Sequence, residues 1–116
     1  MMTRIQYQEC IDACIQTMNA CNYSYVSSLK EYDLASLRES IRLDRECADI
    51  CSFAIQAMTR QSPFIADILR LCADICEACA NESSKHLHIH CKDCIEYCRN
   101  CAALCRSLSE AAVVYA

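Results

Sequence analysis

Cysteine recurs along this chain at intervals of three, four and seven residues, and 13 of its 116 residues are cysteine. On an α-helix such intervals place side chains on one face. Side chains four apart have Cβ atoms about 5–6 Å apart, whereas a disulfide needs roughly 3.5–4.5 Å. The five CxxxC pairs are Cys10/Cys14, Cys47/Cys51, Cys72/Cys76, Cys94/Cys98 and Cys101/Cys105. These pairs predict rows of free thiols with room for a soft metal ion between two sulfurs, not a disulfide framework.

The chain has no glycine and a single proline, Pro63, so the usual signals for strands and tight turns are missing. Four helix-compatible segments remain, at about 4–28, 35–60, 63–82 and 88–113. Ser62 is predicted to cap the third helix, with Pro63 at its first position. Because the connections are short, neighbouring helices should be antiparallel. The sequence therefore predicts an all-α fold, an antiparallel up-down four-helix bundle forming one domain over 1–116.

Charge and composition narrow the possible partners. The formal net charge is −4 and no basic tract occurs, which argues against nucleic acid. No apolar run reaches the roughly 18 residues of a membrane span. The odd cysteine count and an N-terminus without a signal-like apolar segment predict a reducing compartment, and hence a cytoplasmic protein.

Aligning the midpoints of the four helices in antiparallel order predicts layers of cysteine along the bundle axis. Cys91 is left near one end of the bundle. The predicted layers are Cys10 with Cys105; Cys14, Cys51, Cys72 and Cys101; Cys47, Cys76 and Cys98 beside Met18; and Cys21, Cys79 and Cys94.

The two ends of the predicted bundle differ in polarity. One, the apolar end, carries hydrophobic side chains that would close the interior: Met58, Phe64, Ile65, Leu69 and Leu108. The other, the polar end, is the predicted opening and carries Tyr25, Asp44, Ser83, His86, His88 and Cys91.

Thiolate ligands favour Cu(I), zinc and iron–sulfur clusters. Cu(I) fits best, because one Cu⁺ per thiolate leaves the interior neutral, whereas an isolated bis-thiolate site would bury a negative charge. The predicted cofactor is therefore Cu(I) in multiple ions, up to about one per cysteine. Neutral thiols behave as small apolar groups, so the bundle should fold without metal. The candidate ligands are Cys10, Cys14, Cys21, Cys47, Cys51, Cys72, Cys76, Cys79, Cys91, Cys94, Cys98, Cys101, Cys105, His88 and Met18.

Three other kinds of protein remain as alternatives. A tetrahedral Cys₄ zinc site could use Cys14, Cys51, Cys72 and Cys101, but nine cysteines would then be unexplained. Iron–sulfur ligands usually lie in loops near proline or glycine. A thiol oxidoreductase could use Cys91 and Cys94 near a helix N-terminus, although the βαβ context of such motifs is missing. No Glu-x-x-His pair or hydrolytic triad occurs, so we expect no enzyme.

The non-cysteine candidates are less distinctive. His86, His88 and His90 alternate across the junction before the fourth helix and are typical of a solvated loop. His88 precedes Cys91 by three residues, so it would share the face of Cys91 if the helix begins that early. Met18 is placed between Cys14 and Cys21 as a possible thioether ligand.

With these residues laid out, the chain resembles the cysteine-rich four-helix-bundle copper storage proteins of bacteria, particularly their cytosolic branch. The resemblance spans essentially the whole chain and rests on the five CxxxC pairs, on Cys72-x-x-x-Cys76-x-x-Cys79 and on the ladder from Cys91 to Cys105. It implies a cysteine-lined interior that binds many Cu(I) ions, a homotetramer, and a histidine or methionine near the open end that handles incoming copper. Met18 and the two cysteines of the second helix depart from a fully continued ladder.

Overall fold

A computed structural model describes the backbone of residues 3–115 and the side chains of residues 3–112. The helices are α1 (Arg4–Ser28), α2 (Arg38–Thr59), α3 (Ile65–Ser83) and α4 (Ile89–Tyr115), with a 3₁₀ turn at Leu34–Leu37. Over this range no strand occurs, and the predicted all-α four-helix bundle is confirmed. Residues 1, 2 and 116 of the predicted domain lie outside the described part.

Each helix packs against two neighbours: α1 and α3 each contact both α2 and α4. The four helices thus stand at the corners of a square, with consecutive helices antiparallel because their connections are short. The bundle is slender, with extents of 49 × 18 × 18 Å. No helix of the described residues has the length and apolar character needed to cross a membrane.

The side chains on the bundle axis follow a strict alternation of three- and four-residue steps. This period of 3.5 residues keeps one face of each helix directed at the axis. The buried columns are Cys10, Cys14, Thr17, Cys21, Ser24 and Ser28 on α1; Ser40, Asp44, Cys47, Cys51, Ala54 and Met58 on α2; Ile65, Leu69, Cys72, Cys76, Cys79 and Ser83 on α3; and Cys91, Cys94, Cys98, Cys101 and Cys105 on α4.

The start of the third helix differs from the prediction. Its N-cap residue is Phe64, not Ser62, and Pro63 precedes the helix. Ser62 instead belongs to the turn that ends α2, where its N–H donates to the Ala57 carbonyl at 2.9 Å. Its hydroxyl accepts a hydrogen bond from the Phe64 N–H at 3.1 Å. The second helix also begins later than predicted, because residues 34–37 form the 3₁₀ turn.

The turn after α2 is a Schellman motif closed without glycine. Gln61 has a positive φ of 54°, and its N–H donates to the Met58 carbonyl. Together with the Ser62 bond to Ala57, this is the paired 6→1 and 5→2 arrangement that ends many helices. Gln61 thus adopts a left-handed conformation that glycine would adopt at lower cost.

The apolar end is closed by Met58, Ile65 and Leu69, which are all buried. Leu108 is half-buried and packs against this core. The prediction for Phe64 is wrong, because this residue is 66% exposed. Phe64 is the N-cap residue that precedes α3, and the buried face of that helix begins at the next residue, Ile65.

Candidate metal centre

All thirteen cysteines are free and buried. Twelve have no exposed surface, and Cys10 is 3% exposed. The closest sulfur pairs lie 3.5 Å apart, at Cys10/Cys105 and Cys47/Cys76. A disulfide bond is about 2.05 Å long, so the structure contains thiols in contact and confirms that the CxxxC spacing does not form bridges within a helix.

One sulfur from each helix meets at the centre of the bundle. The group consists of Cys14, Cys51, Cys72 and Cys101, whose sulfurs all lie within 4.8 Å of one another. Within it, Cys14 is 3.7 Å from Cys101 and Cys51 is 4.0 Å from Cys72. This is the four-cysteine layer that the sequence predicts.

A second four-sulfur group lies nearer the polar end. It joins Cys21, Cys79, Cys94 and Cys98. The sequence placed Cys98 one layer further along, with Cys47 and Cys76. The Cys98 sulfur lies between the two layers, 3.8 Å from both Cys21 and Cys47.

Two smaller groups adjoin the central layer, and the contact between Cys47 and Cys98 at 3.8 Å links one of them to the second four-sulfur group. Cys10, Cys14 and Cys105 form one group, and Cys47, Cys51 and Cys76 form the other. Cys14 and Cys51 each belong to a three-sulfur group and to the central four-sulfur group. The sulfurs are therefore shared between adjacent groups, which is what bridging thiolates in a multinuclear metal cluster require.

Thr17, which was not among the predicted ligands, occupies the axial position between Cys14 and Cys21. It is fully buried, and its hydroxyl donates to the Tyr97 carbonyl of α4 at 3.1 Å. Met18 is half-buried and packs against the core from the side. The sequence spacing indicates the axial position of Thr17, because residues 10, 14, 17 and 21 are separated by alternating steps of four and three. Residue 18 does not fit this alternation.

Asp44 is the other non-cysteine side chain within the thiol layers. Its Oδ1 accepts hydrogen bonds from the thiols of Cys79 at 3.4 Å and Cys94 at 3.5 Å. Its Oδ2 is buried without a partner among the described residues. Burial, and then the charge of Cys79, raise the pKa of Asp44 to about 8. The carboxyl is thus readily held neutral in the metal-free bundle.

The packed thiols cannot all ionise together. Hydrogen bonds from Cys105, Cys14 and other neighbours lower the pKa of Cys101. The same network raises the pKa of Cys14, chiefly through Cys10, and that of Cys51, chiefly through Cys101. A few thiolates are therefore held by S–H donors that stay protonated, and further ionisation needs cations to replace those protons.

Buried polar side chains gather at the polar end of the bundle. Ser28, Ser40 and Ser83 have buried hydroxyls with no partner among the described residues. Cys91 lies here with its sulfur 3.6 Å from His90 Nδ1. Burial, and then the charge of Asp44, raise the pKa of Cys91 to about 11.

The three histidines have different surroundings. His86 lies 3.2 Å from Glu82. His88 precedes α4 and is 28% exposed, so it does not share the face of Cys91 and instead contacts Asp33 and Glu31. His90 was predicted to lie in a solvated loop with the other two, but it is only 9% exposed. Its burial depends on the start of α4 at Ile89, which the cysteine spacing alone does not fix.

The fold and the site together define a class of protein: a helical bundle whose axis is a continuous column of thiols able to hold many soft metal ions. Comparison with known proteins identifies the family. The sequence model of the family described as copper storage protein matches residues 3–110. The chain belongs to this family.

Three relatives show how far the similarity extends. The uncharacterized cysteine-rich protein YhjQ of Bacillus subtilis is 54% identical over 90 residues, covering 77% of this chain and 83% of that protein. The Cu(I)-bound copper storage protein BsCsp3 of the same organism is 50% identical, with a TM-score of 0.87 over 90% of this chain and 98% of that chain. A cytosolic copper storage protein from Streptomyces lividans, loaded with five coppers, is 32% identical, with a TM-score of 0.89 over 92% and 94% of the two chains.

Proposed function

We propose that this copper storage protein holds Cu(I) along its whole thiol column, with all thirteen cysteines as ligands and a limit of about one copper per cysteine. The observation that carries the proposal is the sharing of Cys14 and Cys51 between adjacent sulfur groups. Shared sulfurs let one thiolate bridge two ions, so sites merge into clusters. A copper storage protein of Streptomyces lividans has been loaded with 10 copper equivalents, which supports binding of many ions in such a bundle.

A crystal of the copper-loaded protein, with copper located by anomalous scattering, tests the ligand set. We expect copper beside every sulfur from Cys10 and Cys105 to Cys91. Copper confined to a single four-sulfur group would contradict the shared-thiolate account. His88 and Met18 stay predicted ligands, and the same map shows whether either lies beside copper.

Zinc is the second candidate, because two four-sulfur groups contain ligands that could each surround a tetrahedral ion. Thirteen buried thiols exceed what two Cys₄ sites need, and thiolates favour Cu(I). Adding excess zinc to the copper-loaded protein separates the two cargoes. We expect copper to stay bound, and its displacement by zinc would show that zinc is the preferred ion.

We propose that the protein acts without catalytic turnover. A thiol oxidoreductase needs an accessible thiol with a lowered pKa. Cys91 is fully buried and its pKa is raised to about 11. A disulfide-reduction assay should give no rate above that of the Cys91→Ser variant, and a rate that depends on Cys91 would contradict this.

We also propose that the protein is a cytoplasmic homotetramer. Large apolar side chains lie exposed on the outer faces of the helices, including Tyr23 at 69%, Phe53 at 47% and Leu71 at 51%. The free state of all thirteen thiols is compatible with a reducing compartment, and the Streptomyces relative is described as cytosolic. Light scattering on the purified protein and cell fractionation test the two statements, and a monomer or an exported protein would contradict them.

A further inference from the structure

The thiol column is closed at its polar end as well as at its apolar end. Cys91 is the first thiol of α4 at the polar end, and it has no exposed surface. Ser28, Ser40 and Ser83 occupy the axial positions at the polar ends of α1, α2 and α3, and they too are fully buried. A copper ion in solution can therefore reach Cys91 from this end only if the end opens.

Leu37 continues the axial series of α2 one step beyond Ser40. The buried positions 37, 40, 44, 47 and 51 are separated by alternating steps of three and four, the alternation that keeps side chains directed at the bundle axis. Leu37 is the last residue of the 3₁₀ turn and the N-cap residue of α2. It is 0% exposed, whereas residues 34–36 of the same turn are exposed. One buried side chain thus anchors this turn at the end of the bundle.

The axial layer next to Leu37 is polar. The hydroxyls of Ser28, Ser40 and Ser83 have no hydrogen-bond partner within residues 3–112. A buried hydroxyl without a partner costs free energy, and water that enters this layer would satisfy all three. Opening the polar end therefore loses the burial of Leu37 but gains the hydration of three hydroxyls. This compensation favours a local opening that leaves the rest of the bundle folded.

The apolar end lacks such compensation. Leu69 is also an axial leucine with 0% exposure, and it packs within the main hydrophobic core together with Met58 and Ile65. In the part of the chain whose side chains are described, the buried polar atoms without partners all belong to the polar half of the bundle. Opening the apolar end would therefore expose hydrophobic surface without hydrating any of these atoms.

We propose that Leu37 is a gate residue, which closes the polar end over the three serines and moves aside with its 3₁₀ turn when Cu(I) passes to or from Cys91. The passage of copper rests on the proposed storage function, whereas the closure is a property of the metal-free bundle. Because Leu37 offers no ligand atom, the gate sets the rates of copper loading and release and leaves the number of bound ions unchanged.

Alkylation of Cys91 by iodoacetamide tests the closure without copper. The reduced, metal-free full chain is treated with the reagent, and modified Cys91 is quantified over time by peptide mass spectrometry. Leu37→Ala should raise the rate at Cys91 at least about tenfold, because it removes the buried side chain that holds the end closed. Leu69→Ala is the matched control, since it truncates an equally buried axial leucine at the other end. Equal acceleration by both variants, or none by Leu37→Ala, would overturn the gate.

The wild-type protein provides a test that does not depend on the folding of a variant. A local opening exposes little surface, so the alkylation rate of Cys91 should change little with urea well below the unfolding transition. A rate that rises with the urea dependence of global unfolding would show that Cys91 is reached only by unfolding, and the gate would be refuted.

Copper release then separates the gate from the storage function. Excess competing chelator should remove Cu(I) from the loaded Leu37→Ala variant at least about tenfold faster than from the wild type, with the same number of ions bound at saturation. Failure of the storage function would appear as a low copper capacity of the wild type. Failure of the gate would appear as an unchanged release rate at full capacity.

Discussion

Replacing Thr17 by cysteine should raise the copper capacity by about one ion per chain. Thr17 is the axial residue between Cys14 and Cys21 and is fully buried. A thiol there would continue the α1 column at the level of Cys47, Cys76 and Cys98, the one thiol layer in which α1 supplies no sulfur. One added thiolate balances one added Cu⁺, so the limit should rise from about thirteen to about fourteen.

The structural cost of Thr17→Cys should be small. The substitution removes the hydrogen bond to the Tyr97 carbonyl, and such a bond contributes about 0.5–1.5 kcal/mol net. Threonine and cysteine have similar helix propensities, so no further loss is expected. Thr17→Val measures the hydrogen-bond loss alone, because it keeps the shape without adding sulfur.

The assay is a Cu(I) titration of the reduced protein against a competing chelator, with copper and protein quantified to better than one ion per chain. Met18→Cys is the matched control, since position 18 lies beside the column. We expect Thr17→Cys to gain an ion and Met18→Cys and Thr17→Val to gain none. A gain in Met18→Cys with none in Thr17→Cys would show that the assignment of the α1 axial face is wrong.

Three further predictions concern the metal-free protein. The folded state keeps the proton of Asp44 up to about pH 8, whereas the unfolded chain releases it near pH 3.8, so the free energy of unfolding should fall as the pH rises between these values. The Asp44→Asn variant should reduce that fall by up to a few kcal/mol. A pH profile of urea unfolding that is the same in the variant and the wild type would contradict the role of Asp44. Gln61→Gly should stabilise the fold by up to about 1 kcal/mol, because glycine adopts the left-handed backbone conformation without the steric strain that glutamine has there. A lower thermal unfolding midpoint in the variant would show that Gln61 is not strained. Circular dichroism of the reduced apoprotein should show a helical chain, since neutral thiols pack as apolar groups; helix that forms only with Cu(I) would rule out a preformed bundle.

Spacing alone predicted the parts of the site that depend on helical geometry. The central layer of Cys14, Cys51, Cys72 and Cys101 follows from antiparallel helices of similar length, because midpoint alignment then fixes which residues share a level. The same counting placed Met18 on the axis and missed Thr17. A midpoint estimate has an error of about one residue, and one residue on a helix turns the side chain by about 100°.

Features that depend on the ends of helices could not be predicted in this way. Ser62 has the chemistry of a cap, yet the Schellman turn at Gln61 uses its N–H and moves the start of α3 to Ile65. His90 is buried because α4 begins at Ile89. His88 contacts Asp33, and both residues lie in connections between helices. These connections have no periodic sequence pattern from which the contact could be predicted.

The central claim is that the whole thiol column, and not one isolated site, binds Cu(I). Titration of the reduced wild-type protein with Cu(I) in the presence of a competing chelator tests it most directly. The account predicts tight uptake far beyond two equivalents, approaching one copper for each of the thirteen cysteines. Saturation at one or two equivalents would contradict it.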